Sequence, residues 1–394
     1  MTSDAPADSR RVRGLRLAAL SLGQVVSWGV LYYALIVAAP VIAEQTGWPL
    51  ALVTALFSAG LVTSAIVGIA TGRLLDRYGP RVIMTSGSAL AVAGFVMVAV
   101  APNPIAFGVG WVIVGAAQSA VLYQAAFTVV ARRYGQRAHG AMTIVTLAGG
   151  LASTVFAPLV AALVVALDWR ATFLVLAAVL ATVTIPLHAF SLERRWPPHA
   201  VAPHEHDDHT VATVIRTRRF WFLELSMIAI TGAGFSVTLS IIPLFTEKGI
   251  GFELAALALG LLGAGQVIGR LLFVALPRGT RPWVPIALIA ALTGILLAAL
   301  GIIPGPLWAL IAVAVLAGAV RGANTLAQGS AVIDRWGTRN YGAINGVVAA
   351  PVTIMVALAP AIGPAVAAGV GGYQTMALVM AGIAAVAALL ARWS

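Results

Sequence analysis

The feature that most limits how this chain can fold is a succession of long apolar runs that almost no charge interrupts. Of its 394 residues, 60% are hydrophobic and 9% are charged, whereas soluble domains carry about 25% charged residues. Such a chain cannot cover a water-facing surface of ordinary size with ions, which excludes a soluble multidomain enzyme. Because the runs are continuous and do not alternate in polarity, they predict membrane-spanning helices and not barrel strands.

Twelve of these runs have the length of about 20 residues that a helix needs to cross a bilayer. The predicted spans are 16–40, 50–70, 81–101, 104–130, 140–166, 170–190, 220–245, 254–276, 283–303, 306–332, 341–367 and 374–392. The first run is too long for the apolar region of a signal peptide, so it counts as a span. The sequence therefore predicts an all-α membrane protein with twelve transmembrane helices.

Basic residues are distributed unequally over the two sides of these spans. Twenty of the 24 fall on the side of both termini, whereas only Arg170 and Lys248 fall on the other side. The positive-inside rule then places both termini in the cytoplasm. We expect a multi-pass protein of the bacterial cytoplasmic membrane, surrounded by lipid. Topology explains the net charge of +11, so no nucleic-acid partner is needed.

Several kinds of site are excluded by residue type. The chain has no cysteine, which removes disulfides, thiolate metal sites and cysteine nucleophiles. Its one lysine, Lys248, precedes Gly249 and not Ser or Thr, so there is no ATP-binding P-loop. No Ser–His pair or His/Asp cluster lies inside the spans. We expect no enzymatic activity, no metal and no cofactor.

The middle of the chain holds its longest polar stretch, 191–219, which predicts a cytoplasmic linker between two six-helix bundles, 1–190 and 220–394. Four histidines of this stretch lie among acidic residues, and either a metal site or a solvated linker is consistent with them, the linker being favoured. They are His199, His204, His206 and His209.

The two halves share sequence matches at nearly one spacing. Residues 133–140 recur as 335–342, and Ala157-Pro158 recurs as Ala359-Pro360, both shifted by 202; Pro40 and Glu44 recur as Pro243 and Glu247, shifted by 203. A shift across an even number of helices preserves their direction, so the matches predict a parallel repeat of two six-helix units.

With these features, the whole chain resembles the major facilitator superfamily. That family's signature after the second span is a Gly, an Asp, a basic residue, a Gly and a basic residue, matched here by Gly72, Asp76, Arg77, Gly79 and Arg81. The segment 277–281, in the second half, has no acid. Asp168-Trp169-Arg170 is similar to the family's Gly-Trp-Arg. The resemblance implies alternating access by two rocking bundles, with the signature residues stabilising one closed state.

Two departures argue against a proton-driven drug exporter. Proton-driven members often carry an Arg in the fourth span where this chain has Trp111, and the drug antiporters' Gly-Pro-x-x-Gly-Gly motif keeps only Pro158 here.

Two arginines, Arg270 and Arg321, lie inside predicted spans whose centres contain no Asp or Glu. A central arginine costs about 2.5–3.5 kcal/mol to insert, and Arg321 is about 18 Å from the end of its span, too far to reach the surface. Each arginine is either structural, bonded to carbonyl groups or tyrosine, or a binding group for an anion, because guanidinium pairs with carboxylate through two parallel hydrogen bonds. Gly269-Arg270 resembles the span-8 arginine of the oxalate–formate exchanger and monocarboxylate carrier branch, although Gln266 stands where animal carriers have an Asp.

Other polar and aromatic residues of the spans either complete a substrate site or join helices to one another. The candidates are Trp28, Tyr32, Tyr33, Gln118, Tyr123, Asn324, Gln328 and Asn345. Glu224, one turn into the seventh span, is the candidate for proton coupling.

The sequence thus predicts a secondary active transporter, expected to be a monomer, for a small organic anion such as a mono- or dicarboxylate, with protons as a candidate coupling ion. The alternative is an efflux transporter for a drug or a hydrophobic metabolite. A sensor or scaffold is disfavoured because the chain has no soluble signalling domain.

Overall fold

The computed structural model describes residues 10–193, 196, 209–274 and 281–394. Within these ranges, twelve helices are long and apolar enough to cross a membrane, which confirms the predicted fold class. The helices, α1 to α12, are Val12–Thr46, Leu50–Tyr78, Pro80–Ala99, Pro104–Tyr134, Ala138–Leu167, Trp169–Ser191, Arg218–Leu239, Glu253–Phe273, Trp283–Ile302, Leu307–Trp336, Tyr341–Val370 and Tyr373–Trp393. His199, His204, His206 and the 277–280 part of the second-half loop lie outside the described residues.

Helix α2 corrects one sequence-based boundary. The signature was predicted as a loop after residue 70, but the helix continues to Tyr78. No Pro or helix-breaking turn interrupts it before Gly79, whose positive φ of 82° ends the helix, and Pro80 begins α3. Charged residues extend a helix readily once it has left the apolar layer, so the loss of hydrophobicity did not mark the helix end.

Two compact units divide the chain. Unit 1 comprises Met1–Val67, Leu74–Arg137 and Ile144–His199, and unit 2 comprises Gly68–Arg73, Ala138–Thr143 and Ala200–Ser394.

The repeated residues adopt matching conformations. Gly135 and Gly337, which end α4 and α10, both have positive φ angles, 50° and 76°, a region that costs a residue with a Cβ atom. Pro158 and Pro360 both lie inside helices, α5 and α11. The sequence repeat is therefore also a repeat of helix ends and helix prolines.

Four helices of unit 1 are interrupted near their middles: α5 at Leu151, α6 by a π turn at Leu180–Thr184, and α1 and α4 as follows. In α1 a π-helical turn spans Gly29–Tyr33; single π turns often occur at functional sites. In α4 the helix stops at Val121 and restarts at Tyr123, because Leu122 is extended, with φ −84° and ψ −166°.

In unit 2, α8 and α10 cross at very close range through glycines on both helices. A Cβ atom would lie 1.7 Å from the Ala319 carbonyl oxygen if added to Gly269, and 2.0 Å from the Gln266 oxygen if added to Gly322. Gly265 and Gly318 are equally close to carbonyl oxygens of the facing helix. These four residues, the glycine seam, let the two backbones touch.

The segment after α7 is fastened to one end of unit 2. The Lys248 ammonium donates to the carbonyl oxygens of Gly301 and Ile303, at 3.1 and 2.9 Å, and to Gln374 Oε1. The neighbouring Glu247 carboxylate accepts from the backbone N–H of Tyr373, at 2.6 Å, at the start of α12.

Candidate functional site

Arg321 of α10 lies beside α7 in unit 2. Its Nη1 donates to Thr238 Oγ1 at 3.1 Å, and its guanidinium carbon is 3.6 Å from the centre of the Phe235 ring. The Thr238 hydroxyl donates in turn to the Gly234 carbonyl, at 2.7 Å. The guanidinium therefore lies over an aromatic face, a favourable cation–π arrangement.

A small cavity of about 20 Å³ opens beside this guanidinium. It is lined by Ile230, Thr231, Gly234, Phe235, Thr238, Thr293, Leu297, Ala317, Arg321 and Asn324. Arg321 is the only charged residue of that lining. A space of this size accommodates one water molecule, so an organic solute would enter only if the helices around it moved apart.

Two of the predicted polar residues accompany Arg321. Asn324 lines the cavity and is buried, and its Oδ1 has no hydrogen-bond donor within the described part of the chain. Gln328, one turn further on, donates to Thr231 Oγ1 at 3.1 Å. Asn345 is buried in α11 but does not line the cavity. The structure thus brings Arg321, Asn324 and Gln328 together along the side of α10 that faces α7.

Arg270 is placed apart from that cavity. It is 7% exposed, in α8, directly after Gly269 of the glycine seam, and it is not among the residues that line the space beside Arg321. The two arginines that sequence analysis paired are therefore on the two helices that cross most closely, but they do not share this cavity.

Glu224 is a buried carboxyl group in α7. It is 3% exposed, and neither of its oxygens has a hydrogen-bond partner among the described residues. An ionised carboxylate buried without compensation costs several kcal/mol, and binding a proton removes most of that cost. Its surroundings therefore suit a group that gains and loses a proton as its exposure changes.

The predicted aromatic residues of unit 1 form one cluster. The Trp28 ring centre is 4.8 Å from that of Tyr123 and 5.3 Å from that of Tyr32, and Tyr32 is 5.3 Å from Tyr33. Phe127 stacks on Tyr123 at 5.4 Å. The cluster joins the π turn of α1 to the restart of α4, so it lies where both helices are irregular.

Gln118 has a role that sequence analysis did not identify, and Gln24 shares it. Gln118 Nε2 donates to the Leu31 carbonyl in the π turn, at 2.8 Å, and Gln24 Nε2 donates to the Val121 carbonyl at the break of α4, at 2.6 Å. Each glutamine thus donates to a backbone carbonyl in the irregular part of the other helix. The Oε1 atoms of both are buried without a donor in the part of the chain that the structure describes.

The signature residues connect helix ends within unit 1. Asp76 accepts from Arg132 of α4 at 3.2 Å. The Arg81 backbone N–H donates to the Glu193 carbonyl at 3.3 Å, and the Glu193 carboxylate accepts from Arg16, at 2.8 Å, and from Arg133.

Two further signature residues have separate contacts. The Arg77 guanidinium is 5.1 Å from the ring centre of Tyr78. Gly72, in unit 2, packs so closely that an added Cβ atom would be 2.0 Å from the Gly342 carbonyl oxygen.

Trp111 occupies an apolar setting. It is fully buried, and its ring lies 5.0 Å from Phe57, 5.9 Å from Phe95 and 6.2 Å from Phe107. This aromatic packing would not accommodate the arginine that proton-driven relatives often carry at the position.

Comparison with known proteins identifies similar chains. The family profile described as the Major Facilitator Superfamily matches residues 20–306. A 38 kDa protein of the 23S RNA operon of Thermoproteus tenax is 30% identical over 149 residues, 38% of this chain and 39% of that protein. The MFS-type transporter YcxA of Bacillus subtilis (strain 168) is 27% identical over 175 residues, 43% of this chain and 40% of that protein. The chain thus matches about two fifths of the length of these curated relatives.

Solved structures match the whole chain at low identity. The E. coli fucose:proton symporter FucP has a TM-score of 0.75 and 16% identity, covering 98% of this chain and 99% of that chain. The human organic anion transporter MFSD10 (TETRAN) has a TM-score of 0.68 and 16% identity, covering 98% of this chain and all of that chain. At this identity the likeness establishes the fold alone.

Proposed function

Because this chain belongs to the major facilitator superfamily, and so is a membrane transporter and not an enzyme, we propose that it carries a small organic anion, such as a mono- or dicarboxylate, by rocker-switch alternating access. The observation that carries the proposal is Arg321, the only charged residue that lines a cavity otherwise made of apolar, hydroxyl and amide side chains.

Several features of that cavity favour an anion. Thr238 and Phe235 hold the guanidinium in place beside the cavity, and guanidinium is the side-chain group that pairs with carboxylate through two parallel hydrogen bonds. The buried Oδ1 of Asn324 adds an acceptor for a hydroxyl or N–H group of the substrate. A central arginine is expensive in a membrane and is retained there for function or structure.

Other residues are proposed for supporting roles. Arg270, Gln328, Asn345, Gln118 and the aromatic cluster, Trp28, Tyr32, Tyr33 and Tyr123, would contribute to substrate binding. Glu224 would carry a coupled proton, and Gly72, Asp76, Arg77, Gly79 and Arg81 would stabilise one closed state. The Bacillus relative is described as a transporter, and one fold neighbour carries organic anions while another couples fucose to protons. At 16% identity these neighbours do not indicate which substrate this chain carries, so the proposed substrate class rests on Arg321.

The alternative is efflux of a drug or a hydrophobic metabolite. The aromatic and aliphatic lining around Arg321 and the aromatic cluster at Trp28 favour it, since apolar side chains predominate in sites for lipophilic ligands. In that case the charge of Arg321 would be dispensable for transport.

Transport in proteoliposomes tests both functions. We expect a panel of mono- and dicarboxylates to include a transported anion, and Arg321→Gln to reduce its transport about tenfold or more, since a charge-assisted hydrogen bond contributes about 1.5–3 kcal/mol. Arg321→Lys should retain part of it, and the exposed Arg216→Gln is the matched control. Full transport by Arg321→Gln and by Arg270→Gln would overturn the anion proposal, and transport of neutral lipophilic compounds by both would favour efflux.

Proton coupling is tested by a second measurement in the same proteoliposomes. If Glu224 carries the proton, Glu224→Gln should transport without responding to an imposed pH gradient, while exchange at equal pH continues. A response equal to that of the unmodified protein would exclude Glu224 from coupling without affecting the anion proposal.

A further inference from the structure

A second, larger pocket lies at one end of unit 1, away from the residues discussed above. It has a volume of about 370 Å³ and is lined by Gln45, Thr46, Trp48, Pro102, Asp168, Trp169 and Arg170. These residues lie in or directly beside the α1–α2, α3–α4 and α5–α6 connections. Each connection joins an odd-numbered helix to the next even-numbered one, so all three lie on the same face of the membrane.

Arg170 supplies a fixed positive charge to this pocket. Its guanidinium carbon is 4.4 Å from the ring centre of Trp169, which is buried, and its Nη1 donates to the Ala99 carbonyl at 2.7 Å. The stacking and the single hydrogen bond hold the planar group in place, and its other N–H groups have no acceptor among the described residues. They are therefore available to an oxygen ligand.

Asp168 supplies a negative charge two residues away and does so in a strained conformation. Its φ is +91°, and no other non-glycine residue in the described ranges has a positive φ. Its Oδ1 accepts from the Ala171 backbone N–H at 2.9 Å. That bond caps the start of α6 and uses only Oδ1, so it leaves Oδ2 for another donor. Glycine would adopt this φ without strain, and backbone strain of this kind is typical of functional positions.

The surroundings of the pocket indicate that lipid reaches it. Val165 and Ile105, each within three residues of a lining residue, are 88% and 79% exposed, and in a membrane protein such apolar surface faces acyl chains. Tryptophan, as at 48, is enriched at the level of the lipid headgroups. A ligand of this pocket would therefore come from the headgroup layer.

We propose that this pocket binds the zwitterionic headgroup of phosphatidylethanolamine, with its phosphate on Arg170 and its primary ammonium on Asp168 and the Thr46 hydroxyl. A primary ammonium has three N–H donors for these oxygens. Choline has none and depends on open aromatic faces, one of which, that of Trp169, Arg170 already covers. Phosphatidylglycerol has no cation to pair with Asp168.

Native mass spectrometry of the purified full chain, with phosphatidylethanolamine, phosphatidylcholine and phosphatidylglycerol of identical acyl chains, tests the proposal. We expect the ethanolamine lipid to be retained about fivefold more than either of the others, the size of one exposed ion pair. Asp168→Asn, which keeps the capping oxygen, and Asp168→Gly, which relieves the strained φ, should both abolish the preference. Arg170→Gln should weaken retention of the ethanolamine and glycerol lipids together.

The control is Glu44→Gln, which removes an exposed carboxylate from the same end of α1 but not from the pocket lining, and should keep the preference. Equal retention of the three lipids by the unmodified protein, or an unchanged preference in both Asp168 variants, would overturn the proposal. If soluble phosphoethanolamine bound as tightly as the lipid, the proposal that the ligand comes from the membrane would be overturned.

Discussion

At the scale of single residues, the most informative contacts are the two reciprocal glutamine bonds of unit 1. A π turn and an extended residue both leave backbone carbonyl groups without their helical partners, and in a membrane no water is at hand to satisfy them. Gln24 and Gln118 donate to carbonyls at these irregular points across the helix pair. The irregular geometry of each helix thus depends on a side chain of the other.

We predict that Gln118→Met destabilises the protein by about 1–3 kcal/mol, because it removes the buried hydrogen bond from Gln118 to the Leu31 carbonyl. Thermal unfolding of the detergent-purified protein measures the change, with the exposed Gln45→Met as control. Unchanged stability combined with lost transport would instead make Gln118 a direct substrate contact.

The roles of some of these residues could be predicted from the sequence, and the roles of others could not. Arg321 was identifiable because a charge twelve residues inside an apolar run has few explanations. The role of Gln118 was not, because its acceptor, the Leu31 carbonyl, lies in a π turn of α1 that the sequence pattern does not reveal. Asn324 could be placed near Arg321 by helical spacing, but the cavity that joins them to α7 required the structure.

At the scale of helices, the glycine seam determines how α8 and α10 approach. Where a Cβ atom would lie 2.0 Å from a carbonyl oxygen, the helices must separate to admit it, and the packing and weak Cα–H···O contacts that hold membrane helices together are lost.

We predict that Gly322→Ala lowers the free energy of unfolding by about 1–3 kcal/mol, the typical cost of overpacking. The matched control is Gly263→Ala in α8, where an added Cβ atom meets nothing within 4 Å and helix propensity favours alanine by up to about 1 kcal/mol. Denaturation in one detergent compares them; equal effects of the two variants would show that the seam does not control this packing.

The number of helices was predictable because twenty apolar residues in succession have one stable form in a membrane. The ends and the interruptions of the helices were harder to predict. Hydropathy stops at the edge of the apolar layer, whereas α2 continues as a helix to Tyr78. Leu122 is neither Pro nor Gly, so the sequence gives no signal for the break of α4 there. A contact with α1, the hydrogen bond from Gln24 to the Val121 carbonyl, accompanies the break and is distant in sequence.

At the scale of the whole molecule, the distribution of arginines predicts an orientation. We predict that reporter domains fused to either terminus report the cytoplasm, and that a tag inserted at 101–103, in the α3–α4 connection, is reached from outside the cell. Protease accessibility, and thiol-reagent labelling of a cysteine placed in the reporter or the tag, measure this in intact cells and in inverted vesicles. A terminus labelled from outside would contradict the positive-inside assignment.

The attachment of Lys248 has a practical consequence for chemistry on this protein. It carries the only side-chain amine in the chain, and burial lowers its pKa below the usual 10.5, with Glu247 opposing part of that change. The neutral, nucleophilic amine therefore appears at a lower pH than on an ordinary lysine. Among side chains, amine-directed dyes, spin labels and surface couplings would therefore modify one defined point, between α7 and α8.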